Sequence, residues 1–270
     1  MENKIVYKYP YYLSSSDLLN CCILVNKLTP TYYSFHGLGI SYYWIKGDNI
    51  SKDDIYQLAR SLGKLHICMS TIHSSYKPLQ YYTHFPNIDR QTIMLMSQTL
   101  RRVIGDNITI DLIREYLFKC FETIRLSELP KQIIHGDSNP GNVVKTNKGL
   151  CWIDIVDIHY DYRIVDILWC IIYSFFWDND FDAIRKDVSV GEMKEFLKQY
   201  NCVNPLHESE VKYYYCILFI LLVNSVFSEH SLWRQVKKRE SLESNIMTVL
   251  EYYRIFNQIE NLFDYDDIKN

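Results

Sequence analysis

The sequence carries no excess of either charge. It has 29 Lys and Arg against 32 Asp and Glu, a net charge of −3. That balance excludes the electrostatic footprint of a nucleic-acid or polyanion binder. The one basic run, Lys237-Lys238-Arg239, is short, abuts Glu240 and reads as a solvated helix face. A C-x-x-C pair is missing among the eight cysteines, Cys21, Cys22, Cys68, Cys120, Cys151, Cys170, Cys202 and Cys216. Most of them lie in apolar runs, so they read as reduced, buried thiols of a cytoplasmic protein rather than a disulfide framework or a zinc site. No charged start followed by an apolar core marks the N-terminal segment, so no secretion signal is expected. The longest apolar run, Tyr213 to Phe227, is short for a bilayer span and contains Asn224; a buried core helix is expected there, and no membrane partner. Internal repeats and low-complexity linkers are also missing.

What is present suits a sizeable core. The 270 residues are 48% hydrophobic and 23% charged, enough for one large domain or two unequal lobes. The 23 tyrosines accompany abundant Ile, Asn and Lys, the mark of an AT-rich coding sequence, and carry no functional reading. Residues 4–9, KIVYKY, alternate as a strand, and the Ser14-Ser15-Ser16-Asp17 cluster opens a short helix over 17–28 that Pro30 ends. YYSF and ISYYWI are strand-like and joined by His36-Gly37-Leu38-Gly39, a hairpin signal. After the turn Lys46-Gly47-Asp48, Ser51 is the expected cap of a helix over 53–66, whose apolar residues recur at 55, 58, 59, 62 and 65. Helices follow to residue 130, with a Tyr- and Pro-rich loop near 74–88. Two short strands and a Lys148-Gly149 turn are expected within 133–158, then helices over 164–177, 189–200, 208–230 and 239–263. The layout is a small strand-rich lobe, residues 1–46, and a larger helical lobe, 47–270, carrying the hairpin 133–158.

The stretch 133–144, IIHGDSNPGNVV, stands apart. An apolar pair runs into His135-Gly136-Asp137, a polar turn follows, and Asn142 precedes a second apolar pair. Downstream, Asp154 follows three apolar residues, as a carboxylate at a strand end would, and Asp166 opens an apolar helix twelve residues later. Moving a phosphoryl group from a nucleotide to a hydroxyl needs positioning and charge compensation more than covalent help. One carboxylate must orient the acceptor hydroxyl and take its proton; magnesium on the phosphates needs oxygen ligands. Asp137 suits the base, and Asn142 and Asp154 suit the metal. Taken singly, Asp137 reads as a turn-capping residue and Asn142 as an Asn at an irregular backbone position. The four fixed residues of the octet arise together by chance in roughly one in several hundred chains of this length.

HGDxxxxN followed by Ile153-Asp154 and then Asp166 resembles the aminoglycoside phosphotransferase and choline kinase-like family. The match runs through His135, Gly136, Asp137, Pro140, Gly141, Asn142, Ile153, Asp154, Asp157 and Asp166. The resemblance implies an α+β, bilobal protein-kinase-like fold, an ATP- and Mg2+-dependent transfer to a small-molecule hydroxyl, and His135 and Asp166 as braces of the loop. The helix ending LGKLH is similar to the family's first large-lobe helix, and YYWIKGD to its linker, which would place adenine on the backbone of Tyr43, Trp44 and Ile45. GTP in place of ATP stays open.

The family's glycine-rich hairpin has no counterpart, since the seven residues before Lys8 contain no glycine. KIVYKY resembles the strand carrying the phosphate-binding lysine, so Lys8 is the candidate, open against a plain surface lysine. Its usual helix Glu is missing from 17–28, where Cys21 or Asn20 stands instead. A recorded start downstream of the true one, a reduced small lobe, or lost catalysis would each account for this. The last gives the alternative reading, a kinase-like module that binds a nucleotide or a protein partner. For the acceptor, Asp178, Asp180 and Asp182 in WDNDFD, with Trp177 and Phe181, are candidates for a polycationic aminoglycoside or a choline-like ammonium; the bland reading is a polar interhelix loop. Asp157 is open between the site's periphery and solvent, and Glu229, His230 and Trp233 form a second candidate group. The leading acceptor is an aminoglycoside, with choline, homoserine or another amino alcohol or sugar next.

Overall fold

The computed structural model describes residues 47–71, 93–94, 97–98, 101, 105, 108–154, 157–177, 184–227, 244–252 and 255, together with the backbone of 5–8, 33–36 and 39–42. The chain divides into two compact units. One comprises Met1–Tyr82, Pro130–Cys170 and Lys194–Leu206; the other comprises Thr83–Leu129, Ile171–Met193 and His207–Asn270.

In the first unit, strands β1 (Ile5–Lys8), β2 (Tyr33–His36) and β3 (Gly39–Tyr42) form an antiparallel sheet in the order β1-β3-β2. The strand and the hairpin expected from the alternation are both present, in register Ile5↔Tyr42 and Tyr33↔Tyr42. The helix expected at 17–28 lies outside the described residues.

Helix α1 (Ile55–Ser70) follows a 3-10 turn at Lys52–Asp54. Ser51 and Asp54 build its entrance: the Ser51 N–H and hydroxyl both donate to Asp54 Oδ2, at 2.9 and 2.8 Å, and Lys145 donates to Oδ1 at 2.5 Å. These three donors hold the Asp54 carboxyl at about 2, below its ordinary value. Leu58, Ala59, Leu62, Leu65 and Met69 form the buried stripe that the 3.6-residue period requires. The stripe packs on β5 (Lys131–Ile134) and β7 (Gly149–Trp152). Trp152 Nε1 donates to Ser61 Oγ at 3.0 Å. The helix runs four residues past His66, the end that its periodicity predicts.

The strands around the quoted loop are not paired with each other. β5 pairs with β8 (His159–Tyr162), while β6 (Val143–Thr146) pairs with β7 and with the short β4 (Asp48–Asn49). The loop 135–142 is therefore a crossover between two small sheets, and the expected hairpin is only its second half, β6-β7. The reason is β8 itself. Its His-Tyr-Asp-Tyr sequence buries His159 and Asp161, so it lacks the inside-outside alternation that reveals a strand. Helix α3 (Arg163–Ile171) begins directly after β8 and continues as a π turn at Ile172–Phe176. Helix α4 (Val190–Asn201) follows.

In the second unit, helix α2 (Ile108–Thr123) packs on α5 (Glu208–Phe227), with Tyr116 edge-on to Phe219 at 4.7 Å. Glu210 accepts the His207 N–H at 2.7 Å at the start of α5. Tyr213 donates its hydroxyl to Glu128 at 2.7 Å. Among the described residues, α5 is the one helix long and apolar enough to cross a membrane by length and composition, yet 89% of its apolar window is buried inside the protein. That is the pattern of a core helix apolar all round. No disulfide joins the six described cysteines, of which Cys120, Cys151, Cys170 and Cys216 are buried and Cys202 is exposed.

Leu218 of α5 is fully buried. Leu218→Ala is expected to cost about 2–5 kcal/mol of stability, read as a lowered urea midpoint at unchanged slope. A loss below about 1 kcal/mol would remove α5 from the core.

Candidate active site

The geometry of the loop starts from one carboxylate. Asp166, in the first turn of α3, is fully buried. Its Oδ2 accepts the His135 N–H at 2.8 Å and its Oδ1 the Gly136 N–H at 3.0 Å, so it holds the loop's first two amides. The Ser138 hydroxyl donates to the Asp166 carbonyl at 2.5 Å, fastening the far side of Asp137 to the same residue. His66, at the end of the α1 stripe, donates Nε2–H to Oδ2 at 2.9 Å. The His66 Nδ1 faces the Tyr200 hydroxyl at 2.8 Å, and Asn204 donates to that hydroxyl at 3.0 Å. With Nδ1 accepting from Tyr200, Nε2 carries the proton that Asp166 receives. Burial alone pushes the Asp166 carboxyl up; the hydrogen bonds from the His66 side chain and the His135 backbone overcome it and hold it at about 2.

Gly136 is required by space and by backbone. Its φ is +85°, and a Cβ there would lie 2.1 Å from the Asp157 carbonyl oxygen and 2.8 Å from His159 Nδ1. His159 Nδ1 also lies 2.6 Å from that carbonyl. Burial pushes the His159 imidazole down, but Asp161, the Asp157 carbonyl and the charge of Asp166 raise it above its ordinary value. His135 is buried against the Trp152 ring at 5.3 Å; its Nδ1 accepts the Asp137 N–H at 3.3 Å, leaving Nε2 to donate to the Ile153 carbonyl at 3.1 Å.

The loop then presents Asp137, half-buried. Asn139 Nδ2 donates to its Oδ1 at 2.7 Å, and Asn142 Nδ2 to its Oδ2 at 2.6 Å and its carbonyl at 2.9 Å. Pro140 opens a 3-10 turn, Pro140–Asn142, closed by Asn142 N–H on the Asn139 carbonyl at 3.0 Å. The Asn142 carbonyl accepts the Ile153 N–H at 2.9 Å, which joins the loop to the end of β7. Asp154 follows at φ 57°, the left-handed region that non-glycine residues enter at a cost of about 1–2 kcal/mol. Strain of this kind concentrates where a side chain must be aimed.

Of the residues singled out in the sequence, the structure brings His135, Asp137, Asn142 and Asp166 into one hydrogen-bonded group, and Asp154 follows Ile153, whose N–H joins that group at the Asn142 carbonyl. Asp157 is exposed, and its backbone carbonyl is what meets Gly136. Lys8 lies in β1, with its side chain outside the described residues. Tyr43, Trp44, Ile45, Asp178, Asp180, Asp182, Glu229, His230 and Trp233 also lie outside them. Trp177 is buried and joins Ile184 in a lone antiparallel bridge. Three participants escape the sequence reading: His66, one hundred residues from its partner; Ser138; and Asn139. Ser138 and Asn139 had a local signal, their place inside the motif.

The model of the APH phosphotransferase enzyme family matches residues 31–196. The chain belongs to this family. Membership supports a phosphotransferase acting on a small molecule. No curated protein matches the chain by sequence. Among solved structures, a microcompartment-associated aminopropanol kinase superposes with a TM-score of 0.59 at 11% identity, over 94% of this chain and 86% of that one. An aminoglycoside phosphotransferase from Alicyclobacillus acidocaldarius gives 0.57 at 13% identity, over 97% and 88%. A choline kinase from Cryptosporidium parvum gives 0.55 at 13% identity, over 96% and 83%. The APH chain therefore has the α+β, protein-kinase-like fold of these enzymes.

Replacing Asp166 by Ala strands two backbone N–H groups and His66 in the interior. A loss of about 3–5 kcal/mol in urea unfolding is expected. The lowered folded-state value gives the pH dependence a sign. The charged form's contribution is present above the unfolded value of about 3.9 and is lost as pH falls through about 2. The stability gap between wild type and Asp166→Asn should therefore be constant above about pH 4 and narrow below it. A gap that does not change on acidification would contradict the assignment.

Proposed function

We propose that this chain transfers the terminal phosphoryl group of a nucleoside triphosphate, ATP by preference, to the hydroxyl of a small acceptor. The observation that carries the reading is the union of Asp137, Asn142 and the segment leading to Asp154 on one braced crossover. Asp137 orients the acceptor hydroxyl. Each of its oxygens accepts one amide hydrogen bond and keeps a further lone pair for that hydroxyl. As the acceptor oxygen bonds to the terminal phosphorus, the bond from phosphorus to the bridging oxygen breaks, the nucleoside diphosphate leaves, and Asp137 receives the hydroxyl proton.

Donor chemistry supports a magnesium ion. Asn142 spends its Nδ2 on Asp137, which leaves its Oδ1 as a hard oxygen ligand, and the Asp154 carboxylate, two residues beyond the Cys151-Trp152 end of β7, would be the second. When bound, the ion neutralises charge on the phosphates. Asp166 and His135 keep the loop in place without reacting. Lys8 is assigned to the phosphates and the backbone of Tyr43–Ile45 to the adenine.

For the acceptor, a hydroxyl near a cationic nitrogen is the shared feature of aminoglycosides, choline and aminopropanol, the substrates in the names of the structural neighbours. We assign an acceptor of that class, aminoglycoside first, with Asp157, Asp178, Asp180 and Asp182 as the carboxylates to meet the nitrogen.

Asp137→Ala is expected to lower turnover by about 10²–10⁴-fold while leaving the urea midpoint close to wild type, because a half-buried base and not a core group is removed. Turnover at the wild-type level would take the base role from Asp137. Asp154→Ala should weaken magnesium-nucleotide binding by about tenfold or more in calorimetry; unchanged affinity would take Asp154 out of the metal site.

A further inference from the structure

Asn139 occupies the N-cap position of the Pro140–Asn142 turn, with extended backbone at φ −77° and ψ 153°. An Asn at that position ordinarily turns its side-chain oxygen onto an N–H of the turn it precedes. Here no such bond forms. The side chain turns back instead, and its amide donates to Asp137 Oδ1 at 2.7 Å. A second observation points the same way. Gly141 does not have a positive φ, so its backbone does not demand glycine. The side chain of Asn139 does depend on it: a Cβ on Gly141 would lie 2.8 Å from Asn139 Oδ1, closer than Cβ contacts come, so that side chain would have to shift. The side chain that holds Asp137 is thus seated in the room that Gly141 leaves.

We infer that Asn139 is a positioning residue for the phosphoryl-transfer base, and that Gly141 is small in order to seat it. The inference rests on the proposed role of Asp137. The torsion that turns an Asp carboxylate is soft and broadly two-fold. One donor, Asn142 on Oδ2, leaves the group free to swing about that contact. A second donor on Oδ1 fixes its plane. Both donors are neutral amides, so they orient the carboxylate without adding a cation beside it. Fixing the plane aims the remaining lone pairs, and near-attack geometry of this kind is sensitive to displacements of about 1 Å.

The test is a double-mutant cycle on Asn139→Ala and Gly141→Ala, with Asn139→Asp as the near-isosteric variant that lacks the donor. Each single substitution should lower kcat by about tenfold with the nucleotide KM within about twofold, because aim and not binding is lost. Asn139→Asp should fall at least as far as Asn139→Ala. The double variant should be no slower than Asn139→Ala, since both changes remove one contact. Urea midpoints measured alongside separate these losses from unfolding. Wild-type kcat in Asn139→Ala, a rise in KM alone, or losses that multiply in the double variant would each overturn the inference while leaving the function standing. An activity-independent arm follows the Asn139 side-chain amide in 1H–15N spectra, assigned by its disappearance in Asn139→Asp. Slow exchange in wild type that is lost in Gly141→Ala supports the seat; exchange at the solvent rate in wild type overturns it, whatever the protein's turnover.

Discussion

The buried Asp166 carboxylate is the constraint on which the site depends. A charge in the interior is costly unless nearly all its lone pairs are used. Here the partners that satisfy it are the two amides that begin the loop and the imidazole of His66. The charge cannot be relieved without moving the loop, and the loop cannot move without exposing two unpaired amides and a charge. From that anchor, the positive φ of Gly136 and the close approach of the Asp157 carbonyl set the direction in which the chain leaves β5. The remaining contacts, Ser138 on the Asp166 carbonyl and Asn142 on Asp137 and Ile153, follow as consequences.

The His66–Tyr200–Asn204 relay extends the same logic outward. It ties Asp166 to the end of α1 and to the turn after α4, where α1 passes so closely that a Cβ on Gly63 would lie 3.2 Å from Val203 Cβ. Arg163, one turn before Asp166, donates to Asn204 at 2.9 Å and to the Pro205 carbonyl at 3.1 Å, closing the ring around the base of α3. In this ring of Asp166, His66, Tyr200, Asn204 and Arg163, each member has a hydrogen-bonding partner; such networks specify one arrangement when complete.

Local features were legible in the sequence. The strand at 5–8, the 33–42 hairpin, the start of α1 at Ser51 and the stripe 55–65 all follow from periodicity and capping. The loop His135, Asp137 and Asn142, with Asp166 braced behind it, was legible as well, because its spacing is compact. The pairing of β5 with β8 was not legible. It is non-local, and β8 buries a His and an Asp where a strand pattern calls for apolar residues. His66 was hidden for the opposite reason. It sits on the apolar face of a well-patterned helix and reads as core until its partner, one hundred residues away, is known. The turned-back side chain of Asn139 depends on rotamer choice, which a sequence does not express.

The function proposed for this braced loop is phosphoryl transfer to a small hydroxyl compound. The direct measurement is 31P NMR of the wild-type protein with ATP and magnesium over a panel of aminoglycosides and amino alcohols. A new phosphomonoester resonance, growing in step with ADP for at least one member, is the predicted result. Nucleotide that stays intact, or ADP that accumulates only with inorganic phosphate across the whole panel, would contradict it.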